Sequence, residues 1–480
     1  MLNKKLILNL IGFLLIVEGI FMLIPAIVSI IYHENDLIPF LKSSAITISV
    51  GFILWIITRD VKRAVGKREG FIIVTMVWII YSIFGSLPYI LSGSIPSFTN
   101  AFFETMSGFT TTGASILNDI EILPHGILFW RSMTHLIGGM GILVLTVAIL
   151  PFLGVGGMQL FNAEASGVTP DKLHPKMRET ARRLWVIYIA LVLIETIMLK
   201  FGGMDIFDAL CHSFATLASG GFSTKNASVA AFSPYIQYVI IFFMIMAGTN
   251  FTLHYYLING KFKKIFKNQE YKFYLLIILI STIIIAFFLI RTNATIEKSF
   301  RDALFQVTSI VTCTGFVTAD YTSWAKFLWF FLFILMFVGG SVGSTAGGIK
   351  VLRHFLLFKN SITEFKRMLH PSAVIPVRYN GSVISNDIIF KVQAFFLTYI
   401  VIFITGSLFL TFFGMDFVSS MGAVVTTMGG IGPGLGSVGP VNNFALVPTE
   451  GKWILSFMML IGRLELFSVL ILLTPAFWKK

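Results

Sequence analysis

The sequence predicts an all-α polytopic membrane protein. It comprises four pseudo-repeated units of spanning helix, short pore helix and second spanning helix around a central pore, plus two extra N-terminal transmembrane helices. Three observations predict this. First, of 480 residues 56% are hydrophobic and only 12% charged, against roughly 25% charged in a soluble protein. Second, apolar stretches recur at Leu6–Tyr32, Phe71–Leu91, Trp185–Leu199, Phe273–Ile290, Phe327–Phe337, Val392–Phe413 and Trp453–Thr474. They approach or exceed the roughly 20 residues that cross a bilayer. Third, four short polar runs carrying glycine interrupt the apolar sequence. They are Thr110–Ala114, Ala218–Phe222, Thr312–Phe316 and Gly429–Pro433. Non-helical backbone at membrane depth must be buried in protein or line a watery path, so four such breaks at similar spacing read as four quarters of one pore.

The elements follow in order. Residues 1–69 hold two helices, near Leu6–Tyr32 and Ser43–Thr58, with no re-entrant partner. Four units then occupy 70–183, 184–272, 273–385 and 386–480. Aligning the polar runs on Gly113, Gly221, Gly315 and Gly432 gives spacings of 108, 94 and 117 residues. Thirteen residues before these glycines stand Asn100, Asp208, Asp302 and Ser419, all residue types whose side-chain oxygen caps a helix N-terminus. A small residue follows each; choosing Gly220 instead of Gly221 would break both matches. About ten residues lie between cap and glycine, a helix of roughly 15 Å, half a bilayer. The first spanning helices are expected near Phe71–Leu91, Leu184–Phe201, Phe273–Ile290 and Phe390–Phe412. The second are expected near Ile127–Leu150, Ile236–Leu257, Phe327–Leu352 and Trp453–Thr474. Ten spans put both termini on one side.

The net charge of +13 invites a nucleic-acid reading, but its distribution excludes one. Of 36 Lys and Arg, 25 fall at the termini and in Arg59–Arg68, Lys172–Arg183, Lys261–Lys272 and Lys350–Arg378. With alternating helices all these sites share one side, which the positive-inside rule makes cytoplasmic. They mark topology, and could also dock an acidic cytosolic partner. The first apolar stretch is too long for a signal-peptide core. Two cysteines, Cys211 and Cys313, exclude a disulfide framework.

A dehydrated monovalent cation needs oxygens in place of its water, and inward-pointing backbone carbonyls supply them. Glycine reaches the backbone angles such a run requires. Each re-entrant helix also directs its partly negative C-terminal end toward the cavity. The candidate ion-binding residues are Thr111, Thr112, Gly113, Ser219, Gly220, Gly221, Cys313, Thr314, Gly315, Gly430, Ile431 and Gly432. Close helix packing by small residues also explains any one run; four runs in one register argue against it. The Gly430–Gly434 stretch is no phosphate loop, because no lysine follows it. The second helix of the third unit holds five glycines in the ten residues Gly339–Gly348, each costing about 1 kcal/mol in a helix relative to alanine. It reads either as tight helix packing or as a flexible loop obstructing the path. Arg463 is an intramembrane charge, hence functional by default, or else paired with Glu465, Glu104 or another carboxylate. For Glu18 and Glu195, packing or snorkelling explains the sequence about as well as a functional role does. His135, His212 and His254 share no metal-ligand spacing and read as structural.

These residues resemble the bacterial Trk/Ktr/HKT superfamily of potassium transporters, most closely its TrkH subfamily. The resemblance covers essentially the whole chain. It rests on Thr110–Ala114, Ser213–Thr224, Gly339–Lys350 and Gly432–Gly434, with further matches in Trp130–Gly141, Gly156–Leu160 and Arg178–Tyr188. It implies potassium uptake across the bacterial cytoplasmic membrane, with K⁺ bound in the filter and no organic cofactor in this chain. It implies a homodimer with one pore per subunit, and a TrkA-type cytosolic regulatory ring carrying the nucleotide. It also implies a gate built from Gly339, Gly340, Gly343, Ser344, Thr345, Gly347, Gly348 and Lys350, with Arg463 beside it. In the plant branch, serine at the first filter glycine accompanies sodium selectivity; here Gly113 favours potassium. Family members often carry asparagine where this chain has Gly429 and Gly430, so the fourth run is where departure from four-fold geometry is expected. The competing expectations are a coupled secondary transporter, which would show two inverted halves, and a membrane enzyme or sensor. The latter needs a catalytic cluster or an extramembrane domain that the sequence lacks.

Overall fold

The computed structural model describes residues 2–59, 66–144, 177–291 and 295–479. The matching stretch Gly156–Leu160, the end of the predicted helix Ile127–Leu150 and parts of the basic segments Arg59–Arg68 and Lys172–Arg183 lie outside the described residues. Among the described residues, six helices are long and apolar enough to cross a membrane: Lys4–Ile31, Leu37–Ile57, Arg68–Leu91, Ala181–Phe201, Gln269–Ile290 and Asn386–Phe412. They are the extra N-terminal pair and the first helix of each unit. Half or more of the most apolar stretch of each span is not buried inside the protein, as a lipid-facing helix requires. The N-terminal pair packs glycine to glycine: a methyl group on Gly12 would come within 2.7 Å of the Gly51 carbonyl oxygen, and one on Gly51 equally close to that of Gly12. Small residues permit this backbone approach.

The four short helices are Phe98–Phe109, Ile206–Ala218, Ile296–Val311 and Phe417–Gly429. At 12, 13, 16 and 13 residues they are longer than the expected ten, because each begins earlier than its predicted cap. The residues in the N-cap positions are Ser97, Asp205, Thr295 and Asp416. The Asp205, Thr295 and Asp416 side chains accept from the amides of Phe207, Lys298 and Ser419 respectively. The predicted caps lie inside the helices, and their shared register has a different cause. Asp208 accepts from Thr224 Oγ1 at 2.7 Å, Asp302 from Thr318 Oγ1 at 3.4 Å and Ser419 Oγ from the Ser437 amide at 2.7 Å. Each oxygen ties the chain that leaves a polar run back to its own helix. Asn100 accepts instead from Lys452 Nζ, at 2.9 Å.

The second helices depart from the simple expectation. In the first unit His125–Val144 is continuous as far as it is described. In the second, Pro234–Ala247 and Phe251–Ile258 meet at 102°, and in the fourth, Thr449–Arg463 and Phe467–Leu473 meet at 110°. In the third, Lys326–Leu335 and Val351–Leu369 are separated by a fifteen-residue loop. Counting each bent pair as one span gives eight candidate spans among the described residues, by length and composition. The short helices converge at the centre, where Phe103, Phe109, Trp130 and Phe222 are fully buried.

Candidate functional site

The four polar runs share one backbone design. Each short helix ends with a residue in the left-handed region: Thr111 at φ 53°, Ser219 at 57°, Cys313 at 56° and Gly430 at 67°. The amide of the next residue turns back to the carbonyl six positions before the aligned glycine. These bonds run from Thr112 to Ser107, Gly220 to Ala215, Thr314 to Ser309 and Ile431 to Thr426, all at 2.8 Å. This is the Schellman closure of a helix C-terminus. The aligned glycines follow at φ 79°, 76°, 81° and 92° for Gly113, Gly221, Gly315 and Gly432. The register that excluded Gly220 is therefore the register of the backbone. Three non-glycine residues hold left-handed angles at about 1–2 kcal/mol each, a cost that the surrounding packing offsets.

The glycines close a ring. A methyl group on Gly113 would overlap the carbonyl oxygen of Gly220; on Gly221, that of Thr314; on Gly315, that of Ile431. On Gly432 it would come within 2.9 Å of the Thr112 carbonyl oxygen. Each unit's glycine thus abuts the carbonyl before the next unit's glycine, in the order one, two, three, four, one. The fourth run keeps the common pattern. Its departure is confined to a looser seam with the first. Behind the second run, His135 stacks on Phe222 at 4.2 Å, and its ring occupies the space a side chain on Gly220 would need.

Directly against this ring lies the loop between Leu335 and Val351. Gly347 packs so closely on the Gly429 carbonyl that a methyl group would overlap it. The Cys313 sulfur lies 3.4 Å from where a methyl group on Gly348 would sit, and Thr345 Oγ1 is 3.0 Å from Ser219 Oγ. Thr345 Oγ1 also donates to the Leu217 carbonyl, at 2.8 Å. The loop is sewn to the bend of the second unit: Ser341 donates to the Gly248 carbonyl at 2.9 Å, and the Phe251 amide to Gly343 at 3.0 Å. Gly339 and Gly340 pair with Ile349 and Val351, closing the loop's base. Ser344 Oγ donates to the Ser341 carbonyl, and Lys350 Nζ to that of Ala346. Arg463 donates to the Thr345 carbonyl at 2.8 Å and to Gly138 on the opposite helix at 3.2 Å. Between loop and Arg463 remains a cavity of about 10 Å³, the room of roughly one water.

The structure therefore brings all the candidate residues together in two layers. Of the two Arg463 alternatives, the structure departs from the carboxylate pairing and places the residue beside the loop. Glu465 pairs with Arg353 at 2.6 Å and Glu104 with Arg131 at 2.7 Å, while Arg463 binds backbone carbonyls. Glu18 and Glu195 are fully buried, so snorkelling does not describe them. His254 Nε2 lies 2.9 Å from the Met246 carbonyl, bridging the second unit's bend, and His212 lies between the Asp208 carbonyl and Ser223 Oγ. No metal cluster occurs among the described residues. Sequence reasoning missed three participants. One is Glu270, which accepts from the Val342 amide of the loop at 2.7 Å. Another is Arg131. The third is the pair of bends, whose signals were the polar triplet Gly248-Thr249-Asn250 and the glycine–charge run Gly462–Glu465.

Comparison with known proteins gives a consistent picture. The family model described as TrkH, cation transport protein, matches residues 38–480. The Trk system potassium uptake protein TrkH of Escherichia coli (strain K12) is 41% identical over 480 residues, covering 98% of this chain and 99% of its own. The Trk system potassium uptake protein TrkG of the same organism is 34% identical over 482 residues, covering 99% of each. The crystal structure of the potassium transporter TrkH from Vibrio parahaemolyticus matches with a TM-score of 0.92 at 37% identity, covering all of both chains.

Proposed function

Because the chain belongs to the TrkH family of cation transport proteins, we propose that it takes up potassium across the bacterial cytoplasmic membrane. The observation that carries this reading is the closed ring of four left-handed–residue–glycine turns. The carbonyls of Thr112, Gly220, Thr314 and Ile431, each wedged against a neighbouring glycine, form the selectivity filter with the residues flanking them. K⁺ sheds water there because the oxygens replace its hydration shell. The loop Gly339–Gly348 is the gate, and Arg463 latches it by gripping Thr345 and Gly138. A membrane potential of 100 mV contributes about 2.3 kcal/mol per charge, so inward movement of K⁺ needs no chemistry. The protein is a transporter, not an enzyme.

The flanking assignments belong to the same reading. Residues 1–69 form an extension, and 70–183, 184–272, 273–385 and 386–480 form the four quarters. Both termini are cytoplasmic, on the side of the basic segments. The chain works as a homodimer, and a TrkA-type cytosolic ring carrying a nucleotide works the gate from that side. Gly113→Ser tests the filter: its side chain would collide with the Gly220 carbonyl and rotate it out of the ring. Rubidium uptake by proteoliposomes should then become more sensitive to sodium. Unchanged sodium competition would remove the ring from its role.

A further inference from the structure

The ring is not braced equally on its four sides. Nine residues before the aligned glycines stand Glu104, His212, Gln306 and Ala423. Only the first is charged, and it carries a buried ion pair. Arg131 Nε donates to Glu104 Oε1 at 2.7 Å, with the side chains 3% and 0% exposed. Glu104 holds the outgoing end of the first run: Oε1 accepts from Ser115 Oγ and Oε2 from the Ile116 amide, both at 2.9 Å. Arg131 holds the outgoing end of the second run. Its second nitrogen donates to the Ser223 carbonyl at 2.8 Å, and its guanidinium lies 3.6 Å from the centre of the Phe222 ring. Phe222 and Ser223 directly follow Gly221, and Ser115 and Ile116 follow Gly113 by two and three residues. One ion pair therefore ties together the two adjacent quarters whose seam is the Gly113–Gly220 contact. The carboxylates Asp208 and Asp302 hold Thr224 and Thr318 within their own quarters, and the third and fourth quarters are tied by the neutral Tyr321 hydroxyl on the Gly434 carbonyl at 2.8 Å.

We propose that Arg131 and Glu104 are positioning residues that set how strictly the ring discriminates potassium from sodium. They touch no ion. They fix the spacing of the first and second runs, and a ring free to contract is one that sodium can use. A charge-assisted brace resists that contraction better than neutral hydrogen bonds, which are roughly half as strong. The inference rests on the filter reading above.

The test replaces the whole pair. Removing one partner strands the other charge in the interior, whereas apolar replacement of both is often neutral for stability. In the full-length Glu104→Met/Arg131→Met protein in proteoliposomes, rubidium uptake should persist. The sodium concentration that halves it should fall about tenfold, and the melting temperature in detergent should stay near the parent's. A folded double variant with parental sodium competition overturns the proposal. If the double variant does not assemble, Ser115→Ala and Phe222→Leu each trim one arm of the brace. Each should lower that sodium concentration about threefold, and parental values in both overturn the proposal equally. Gly113→Ser separates the two failures. If it shifts sodium competition and the brace variants do not, only the brace is wrong; if it shifts nothing, the filter reading itself fails.

Discussion

Replacing Arg463 by methionine should raise unassisted flux through the protein. Hydrogen bonds hold the loop to its surroundings and close its base. Ser341 to Gly248, Phe251 to Gly343, Gly339 to Ile349 and Thr345 to Leu217 are neutral hydrogen bonds, worth about 1 kcal/mol each. The Arg463 bond to the Thr345 carbonyl, at 2.8 Å, involves a charge and is worth about 1.5–3 kcal/mol. It is also the link that reaches across to Gly138 on the first unit's second helix. Methionine keeps much of the side-chain volume and removes both bonds, so the balance between displaced and seated loop should shift by about ten- to a hundredfold. The remaining bonds keep the loop from unseating altogether. Radioactive rubidium uptake by proteoliposomes, without any cytosolic partner, reads this directly. Arg463→Lys separates two causes, because lysine keeps the charge but not the planar fork that reaches two carbonyls. A rise in both variants identifies the lost grip; a rise in methionine alone identifies the charge beside the path. Parental leak, within twofold, in both variants would refute the latch.

Three further outcomes follow from the same geometry. Gly315→Ala must carry a side chain at φ 81° and overlap the Ile431 carbonyl; strain and overpacking together cost roughly 2–5 kcal/mol. Rubidium uptake should therefore fall well below the parent's at equal protein, and parental uptake would contradict the ring. Thr345→Val deletes the hydroxyl that donates to Leu217 and meets Ser219. Leak should rise about fivefold, one neutral hydrogen bond's worth, and no rise would place Thr345 outside the gate. The Arg353–Glu465 pair, 2.6 Å apart with the guanidinium 3.9 Å from the centre of the Phe395 ring, secures the fourth unit's bend. Glu465→Leu alone should lower the melting temperature more than Glu465→Leu with Arg353→Met, because the single change leaves a charge unpaired. The reverse order would show that the pair is not what holds the bend.

The ring was legible in the sequence because its determinant is local. A helix that ends in a left-handed turn and continues through a glycine needs only a few consecutive residues, and four copies at one register announce themselves. Gly221 rather than Gly220 was picked by the shared register of Asn100, Asp208, Asp302 and Ser419, and the backbone keeps that register. The cap positions were misread for an equally physical reason. Asp208 and Ser419 have the chemistry of a cap, but whether an oxygen caps a helix or clamps the chain beyond the ring depends on what packs beside it. The bends at Gly248–Asn250 and Gly462–Glu465 escaped notice because apolar content around them suffices for a straight span. At the first bend the loop of the third unit donates to Gly248, and at the second Gly462 lies so close to the Met428 carbonyl that a methyl group would overlap it; both partners are distant in sequence.

By itself, then, the sequence determined the membrane class, the extra helix pair, the four-fold repeat and the residues of the ring and loop. Burial, period and backbone angle are properties of short stretches. Only the tertiary structure decided which charges meet. Arg463 lies 118 residues from Thr345 and 325 from Gly138, and Arg131 lies 92 from Ser223. Such pairings depend on how distant helices are packed, and no local pattern records them.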